Sequence, residues 1–231
     1  MRKIIFDIET CSYPFDTLSE SQQEYLLRYA EKETDEGTRL QKKDEAIRYM
    51  SLYPYTSKII AIGIYDVLKE KSYVCYESNI PEEHYVEEKK VLYKGMTEPE
   101  MIKSFWRICE ASDQLISFNG KTFDAPFIMI RSAINKIKPV KNLVSKKYDS
   151  SFHIDLLEQL TFFGLVRKFN LDFYCHAFGI ESPKSNGVNG MEVKNLYEAG
   201  RIKDVAVYCG EDIFATYQLY KIWNEYINIK G

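Results

Sequence analysis

The sequence predicts an α/β protein, a sheet covered by helices. Two observations carry that expectation. Short apolar runs of strand length alternate with longer segments of helical spacing over most of the 231 residues. Apolar residues make up 45% of the chain, enough for a substantial core, and the length suits one domain, residues 1–231.

Residues 3–9 read as a strand with Ile4, Phe6 and Ile8 on one face. Residues 19–50 interleave charges with few apolar anchors, so a helical insertion or flap with a solvated face is expected there. Ser57–Tyr65 reads as a buried strand and Lys71–Tyr76 as its hairpin partner. Thr97 followed by Glu98, Pro99 and Glu100 has the chemistry of a helix start, and that helix runs to about Ala111. Gln114–Phe118 is a short strand. Asn119-Gly120 often marks a hairpin, but Phe127, Ile130 and Ile134 have helical spacing, so strand, loop and helix fit better, the helix covering about Asp124 to Lys136. His153–Leu157 is a short strand or helix entry. Helical segments follow near 170–178, 191–199 and 202–227, punctuated by Gly190 and Gly200.

The formal net charge of −3 argues against a protein that coats nucleic acid electrostatically, but leaves room for a local grip on a short strand. Cys11, Cys75, Cys109, Cys175 and Cys209 are odd in number and lack C-x-x-C spacing, so neither a zinc site nor a disulfide framework is expected, and a reducing compartment is. The chain enters a strand-like run at Lys3 without a signal-peptide pattern and holds no apolar stretch of membrane-span length; a cytoplasmic protein with no membrane partner is the expectation.

Three motifs carry chemistry. In Phe6-Asp7-Ile8-Glu9-Thr10, strand alternation puts Asp7 and Glu9 on one face beside Ile5. Two carboxylates on an otherwise apolar face repel and lose hydration, and a hard cation offsets both penalties. Taken alone, so common a pair is better explained by a solvent-facing strand edge. In Asn119-Gly120-Lys121-Thr122-Phe123-Asp124, the acid falls at a strand end and helix start, where α/β sites form, although Asp is also a common N-cap. In Tyr208-Cys209-Gly210-Glu211-Asp212, a phenol and a carboxylate share a helix face one turn apart, a pattern ordinary amphipathic helices also produce.

Taken in this order, D-x-E, N-G-x-x-F-D and Y-x-x-x-D resemble the DEDD exonuclease superfamily, which includes polymerase proofreading domains and RNase D-like enzymes. Tyrosine before the last acid matches the DEDDy branch; the DEDDh branch carries histidine where this chain has Val207. Asn170-Leu171-Asp172 leading to Phe178-Gly179-Ile180, then Ser182-Pro183-Lys184, Leu196-Tyr197 and Gly200-Arg201-Ile202, extend the likeness to a stand-alone relative of the family-B DNA polymerase exonuclease domain. Asn189-Gly190 stands where relatives often carry Asp-Gly. Residues 15–55 have no counterpart in the resemblance.

The resemblance implies a ribonuclease H-like (DnaQ-like) fold with a mixed sheet of about five strands flanked by helices. It implies a 3′–5′ exonuclease with Asp7, Glu9, Asp124, Tyr208 and Asp212 as catalytic residues, the four acids holding two divalent ions, Mg²⁺ or Mn²⁺. Asp7 would bridge both ions, Glu9 and Asp212 would hold the one nearer the attacking water, Asp124 the other, and Tyr208 would orient the water. The partner would be a single-stranded 3′ end, DNA favoured over RNA, releasing nucleoside 5′-monophosphates. Thr10, Asn119 and Phe123 are candidate substrate contacts, and Lys121, Arg131 and Lys184 candidate phosphate contacts. An RNA-trimming exoribonuclease and a non-catalytic nucleic-acid-binding module are the alternatives; loss of a motif acid would favour the second, and none is lost. His153-Ile154-Asp155 has metal-pair spacing, but a histidine hydrogen-bonded at a strand end is the commoner outcome.

Overall fold

The structure, a computed structural model, describes residues 1–144, 148–182 and 192–229. Lys184, Asn189 and Gly190 of the sequence motifs lie outside the described residues. The strands are β1 (Lys3–Ser12), β2 (Ser57–Asp66), β3 (Lys71–Glu77), β4 (Glu82–Val86), β5 (Val91–Met96), β6 (Gln114–Ser117) and β7 (His153–Asp155). The helices are α1 (Glu20–Leu27), α2 (Glu36–Arg48), α3 (Glu98–Glu110), α4 (Asp124–Ile134), α5 (Leu156–Leu160), α6 (Leu171–Phe178), α7 (Val193–Glu198) and α8 (Ile202–Tyr226).

Among the described residues the strands form one mixed sheet of seven in the order β4-β5-β3-β2-β1-β6-β7. β1 lies inside it, antiparallel to β2 and parallel to β6. The α/β class with flanking helices is as expected, but the sheet is wider than about five strands. The addition is the β4–β5 pair, where β5 runs parallel to β3 and β4 closes the edge antiparallel to β5. β4 is half-buried or exposed at every position, so it lacks the buried face that produces legible alternation.

Strand alternation builds two cores on opposite faces of the sheet. Ile4, Phe6 and Ile8 of β1 join Ile59, Ile62 and Ile64 of β2 under α3 and α4, which contribute Met101, Ile102, Phe105, Trp106, Phe127 and Ile128. Each such side chain, fully buried, stabilises the fold by about 1.5–3 kcal/mol. Ile5 and Cys11 face the other way, with Ile60, Ala61, Val74 and Ile116, against Val205, Ala206, Cys209, Ile213 and Leu219 of α8. β2 carries one extra residue opposite the Glu9/Thr10 step: Glu9 pairs with Ala61 and Thr10 with Ile59, so Ile60 bulges out. The bulge puts Ile60 and Ala61 on the same face and turns the end of β1.

α8 comes unusually close to the sheet at Gly63, the partner of Asp7. A Cβ there would lie 2.9 Å from both Cys209 Sγ and Ile213 Cγ2, so any side chain would push the helix off. Between β1 and β2 the chain leaves for α1 and α2 and returns beside its point of departure, with Tyr13 N donating to Thr56 O at 3.0 Å. Among the described residues no helix is long and apolar enough to cross a membrane.

Gly63→Ala is expected to lower the stability to urea by about 1–3 kcal/mol, the usual cost of overpacking a tight interior. An unchanged denaturation midpoint would mean that α8 does not need this approach.

Candidate active site

Asp7 and Glu9 project from β1 on the face covered by α8, the same face as Ile5. Their carboxylate oxygens and Cys209 Sγ all lie within 4.8 Å of one another. The thiol is on the inner side of α8 and reaches toward Asp7 O at 3.9 Å. Burial and the neighbouring acids hold it protonated, well above the ordinary range of a thiol, so it packs as a small hydrophobe and not as a nucleophile.

Asp124 starts α4, but it does not cap it: the N-cap position is Phe123 and no side chain caps the end. Instead Asp124 Oδ1 accepts a hydrogen bond from Ile8 N at 3.0 Å, in the middle of the D-x-E motif. The carboxylate therefore crosses from α4 to β1 and leaves Oδ2 for other work. Asp212 completes the group from α8; its charge acts on Asp7, Glu9 and Asp124 alike. One turn earlier, the Tyr208 hydroxyl is hydrogen-bonded to Asp212. Burial and the charges of Asp212, Glu9 and Asp7 push its pKa far up, so the phenol keeps its proton and donates.

The electrostatics are those of crowded, dehydrated anions. Asp7 is raised well above the usual carboxylate range by burial, then by Asp124, Glu9 and Asp212. Glu9 is raised by burial, then by Asp212 and Asp124. Asp124 is pushed up to about 7, chiefly by burial, with the Ile8 N–H pulling the other way. Among the described residues no Lys or Arg forms an ion pair with Asp7, Glu9 or Asp124. A crowded set of hard carboxylate oxygen donors fits Mg²⁺ or Mn²⁺.

Over residues 56–226 the chain matches the family described as a predicted 3′–5′ exonuclease related to the exonuclease domain of PolB. The chain belongs to this family. The matched span takes in Asp124, Tyr208 and Asp212; Asp7 and Glu9 precede it and come to the same place through the sheet. Among solved structures, 186 chains are similar, one of them the family B DNA polymerase from the hyperthermophilic archaeon Pyrobaculum calidifontis. The two align at a TM-score of 0.61 with 13% identity, across 97% of this chain and 24% of that one. At that identity the likeness speaks for the fold, the ribonuclease H-like α/β architecture of a polymerase exonuclease domain. No curated protein matches.

The remaining candidates of this PolB-related chain divide. Thr10 is buried at the turned end of β1, and its hydroxyl donates to Ser51 O at 2.7 Å. Asn119 holds the loop before α4 with a left-handed φ of 63°, and its Oδ1 accepts from Thr122 Oγ1 at 2.8 Å. Phe123 is half-buried and packs on Phe127 with ring centroids 5.4 Å apart. Two expected phosphate contacts are committed elsewhere. Lys121 pairs with Glu158 at 2.8 Å, with only 7% of its side chain exposed. Arg131 is buried, gripping Glu98 through Nε and Nη2 while also donating to Pro54 O and Tyr13 Oη. Their positive charge in the sequence did not reveal that both are consumed by acids of the fold, Glu158 and Glu98.

One positioning residue escaped sequence reasoning. Asp155 is fully buried, and its carboxylate accepts from Asn119 N at 2.9 Å, Lys121 N at 3.0 Å and Leu157 N at 2.9 Å. It caps α5 and at the same time ties down the loop that delivers Asp124. The sequence signal for this role is an acid just before an apolar helical run, Leu156-Leu157. His153, two residues before it, is neutral: burial lowers it to about 4, and it bonds to Ser117 Oγ at 2.8 Å and Leu143 O at 3.3 Å.

The raised pKa of Asp124 fixes a sign. Its ordinary value is 3.8 and its folded value about 7, so between them the folded protein holds a proton that the unfolded chain has lost. Its contribution is complete at low pH and is lost as pH rises toward 7. With EDTA present, Asp124→Asn should therefore melt higher than wild type, by about 5 °C at pH 8, with the gap shrinking as pH falls toward 4. His153 works in the opposite direction, losing stability as pH falls from 6.5 toward 4, but equally in both proteins. A gap that does not vary with pH would contradict the crowded-anion account.

Proposed function

We propose that this chain is a metal-dependent 3′–5′ exonuclease that hydrolyses phosphodiester bonds at the 3′ end of nucleic acid, single-stranded DNA being favoured. The observation that carries the reading is the convergence of Asp7, Glu9, Asp124 and Asp212 from β1, α4 and α8, with the Tyr208 hydroxyl on Asp212.

The four carboxylates would hold two divalent ions, Asp7 facing both, Glu9 and Asp212 serving one, and Asp124 serving the other through Oδ2, because Oδ1 is engaged by Ile8 N. When bound, such ions lower the pKa of water and offset charge on the scissile phosphate and the leaving 3′ oxygen. Tyr208 keeps its proton, so its part is to donate a hydrogen bond and orient, not to remove a proton. Thr10, Asn119 and Phe123 border the acids and are assigned to the terminal nucleotide: Phe123 for stacking, Asn119 and the backbone at Thr10 for polar contacts. Lys121 and Arg131 are not assigned to phosphate. The product class is nucleoside 5′-monophosphate. Five buried, unpaired cysteines support a reducing compartment such as the cytoplasm.

A time course on 5′-labelled single-stranded DNA and RNA, with Mg²⁺ or Mn²⁺ and with EDTA, tests the reading. The expected result is a ladder shortening from the 3′ end, silenced by EDTA, with DNA consumed faster. Absence of cleavage with either ion would overturn it. Asp7→Asn should lower turnover by about 10³-fold or more while the protein stays folded, on the scale of losing a principal electrostatic group. Tyr208→Phe should cost about 10–100-fold in kcat and leave the half-saturating metal concentration nearly unchanged, as fits an orienting residue.

A further inference from the structure

The helical segment between β1 and β2 exposes an unusual set of side chains. Of the eighteen tyrosines in the chain, eight are markedly exposed, and five of those are Tyr25, Tyr29, Tyr49, Tyr53 and Tyr55. Water-facing rings at this density leave apolar area that packing within the chain does not cover. Cations already lie over them. The Arg28 guanidinium sits 3.5 Å from the Tyr25 ring centroid and 4.7 Å from that of Tyr29, and Arg48 lies 5.5 Å from that of Tyr49.

The segment is fastened to the candidate site. Thr10, the residue after Glu9, donates to Ser51 O, and Met50 is fully buried. Thr56 Oγ1 donates to Met50 O at 2.7 Å, and Arg131 holds Pro54 O at 3.1 Å. The short 3₁₀ turn Tyr49–Leu52 is thus a fixed step beside the end of β1, with Tyr49, Tyr53 and Tyr55 on its outside.

We propose that these tyrosines form a stacking platform for the single strand upstream of its 3′ end. This rests on the exonuclease reading above and adds the surface that holds the rest of the substrate. Every base has a π-face, so stacking on aromatic rings is tolerant of sequence, and arginines among the rings serve both base and phosphate. Residues 20–55 hold eight acidic and six basic residues, so the grip comes from rings and not from a field of positive charge. Lys42 and Lys43 are spent on Glu33 and Glu31, which leaves Arg28, Arg48 and Lys32 as the cations over the rings. A protein partner would also cover exposed tyrosines, but the direct connection from the platform to the residue after Glu9 favours the strand that the site would consume.

The test is anisotropy of a dye-labelled oligothymidylate of about 20 nucleotides, titrated in EDTA so that binding is read without cleavage. Tyr25→Ala with Tyr29→Ala, and separately Tyr53→Ala with Tyr55→Ala, should each raise Kd by about tenfold, on the scale of one lost stacked base. The matching Tyr→Phe pairs should bind like wild type, and the salt dependence should be shallow throughout. Tyr85→Ala, an exposed tyrosine on β4, is the control and should leave Kd unchanged. Wild-type affinity in both alanine pairs, an equal loss in the control, or no binding by wild type would overturn the platform. A protein that binds through these tyrosines but cleaves no strand with Mg²⁺ or Mn²⁺ would keep the platform and overturn the exonuclease reading. Cleavage by the wild type, with both alanine pairs binding normally, would do the reverse.

Discussion

Mutual repulsion among buried carboxylates is the constraint around which this molecule is organised. Asp7, Glu9, Asp124 and Asp212 come from three elements far apart in sequence; Asp212 raises the charging cost of the other three, and Asp124 raises that of Asp7 and Glu9. Isolated, such a cluster would open or protonate. It persists because the scaffold fixes each part independently. A β1 N–H holds Asp124, three backbone N–H groups hold Asp155 and through it the loop before Asp124, and a glycine lets α8 settle onto the sheet. Gly120 belongs to the same arrangement, since a Cβ there would lie 2.3 Å from Ser117 Oγ.

The share of this that could be read from sequence follows from periodicity. Alternation of two placed Asp7 and Glu9 together on β1, and a spacing of four placed Tyr208 one turn from Asp212 on α8; both survive folding because they depend only on local geometry. Helix ends were legible where capping chemistry was present, as at Thr97, whose N and Oγ1 both donate to Glu100. Features set by tertiary contact were not. Asp124 reads as a cap, yet its partner lies 116 residues away at Ile8. Lys121 and Arg131 read as candidate phosphate contacts because sequence carries no trace of the acids that pair with them. The edge strand β4 escaped because a strand with no buried position has no apolar stripe.

A second lesson concerns how tyrosine is used. The same residue type serves as a buried donor at Tyr208, as a stacked core ring at Tyr65 against Tyr217, and as exposed surface at Tyr25 and Tyr55. Composition cannot separate these uses. Burial and neighbours do, because a phenol is apolar over its ring and polar at one atom, and the fold chooses which end meets water.

The Arg131 clamp has a consequence for how this molecule could diversify. One guanidinium joins the chain just after β1, at Tyr13, to the chain just before β2, at Pro54, and anchors both on Glu98 of α3. The excursion between them leaves and re-enters through a single pinned gateway, already closed by strand pairing at Ser12 and Ser57. Lengthening such an excursion adds little closure entropy. Between that gateway and the fixed turn at Tyr49, α1 and α2 can change in length while the pairing of β1 with β2 keeps the carboxylates in register.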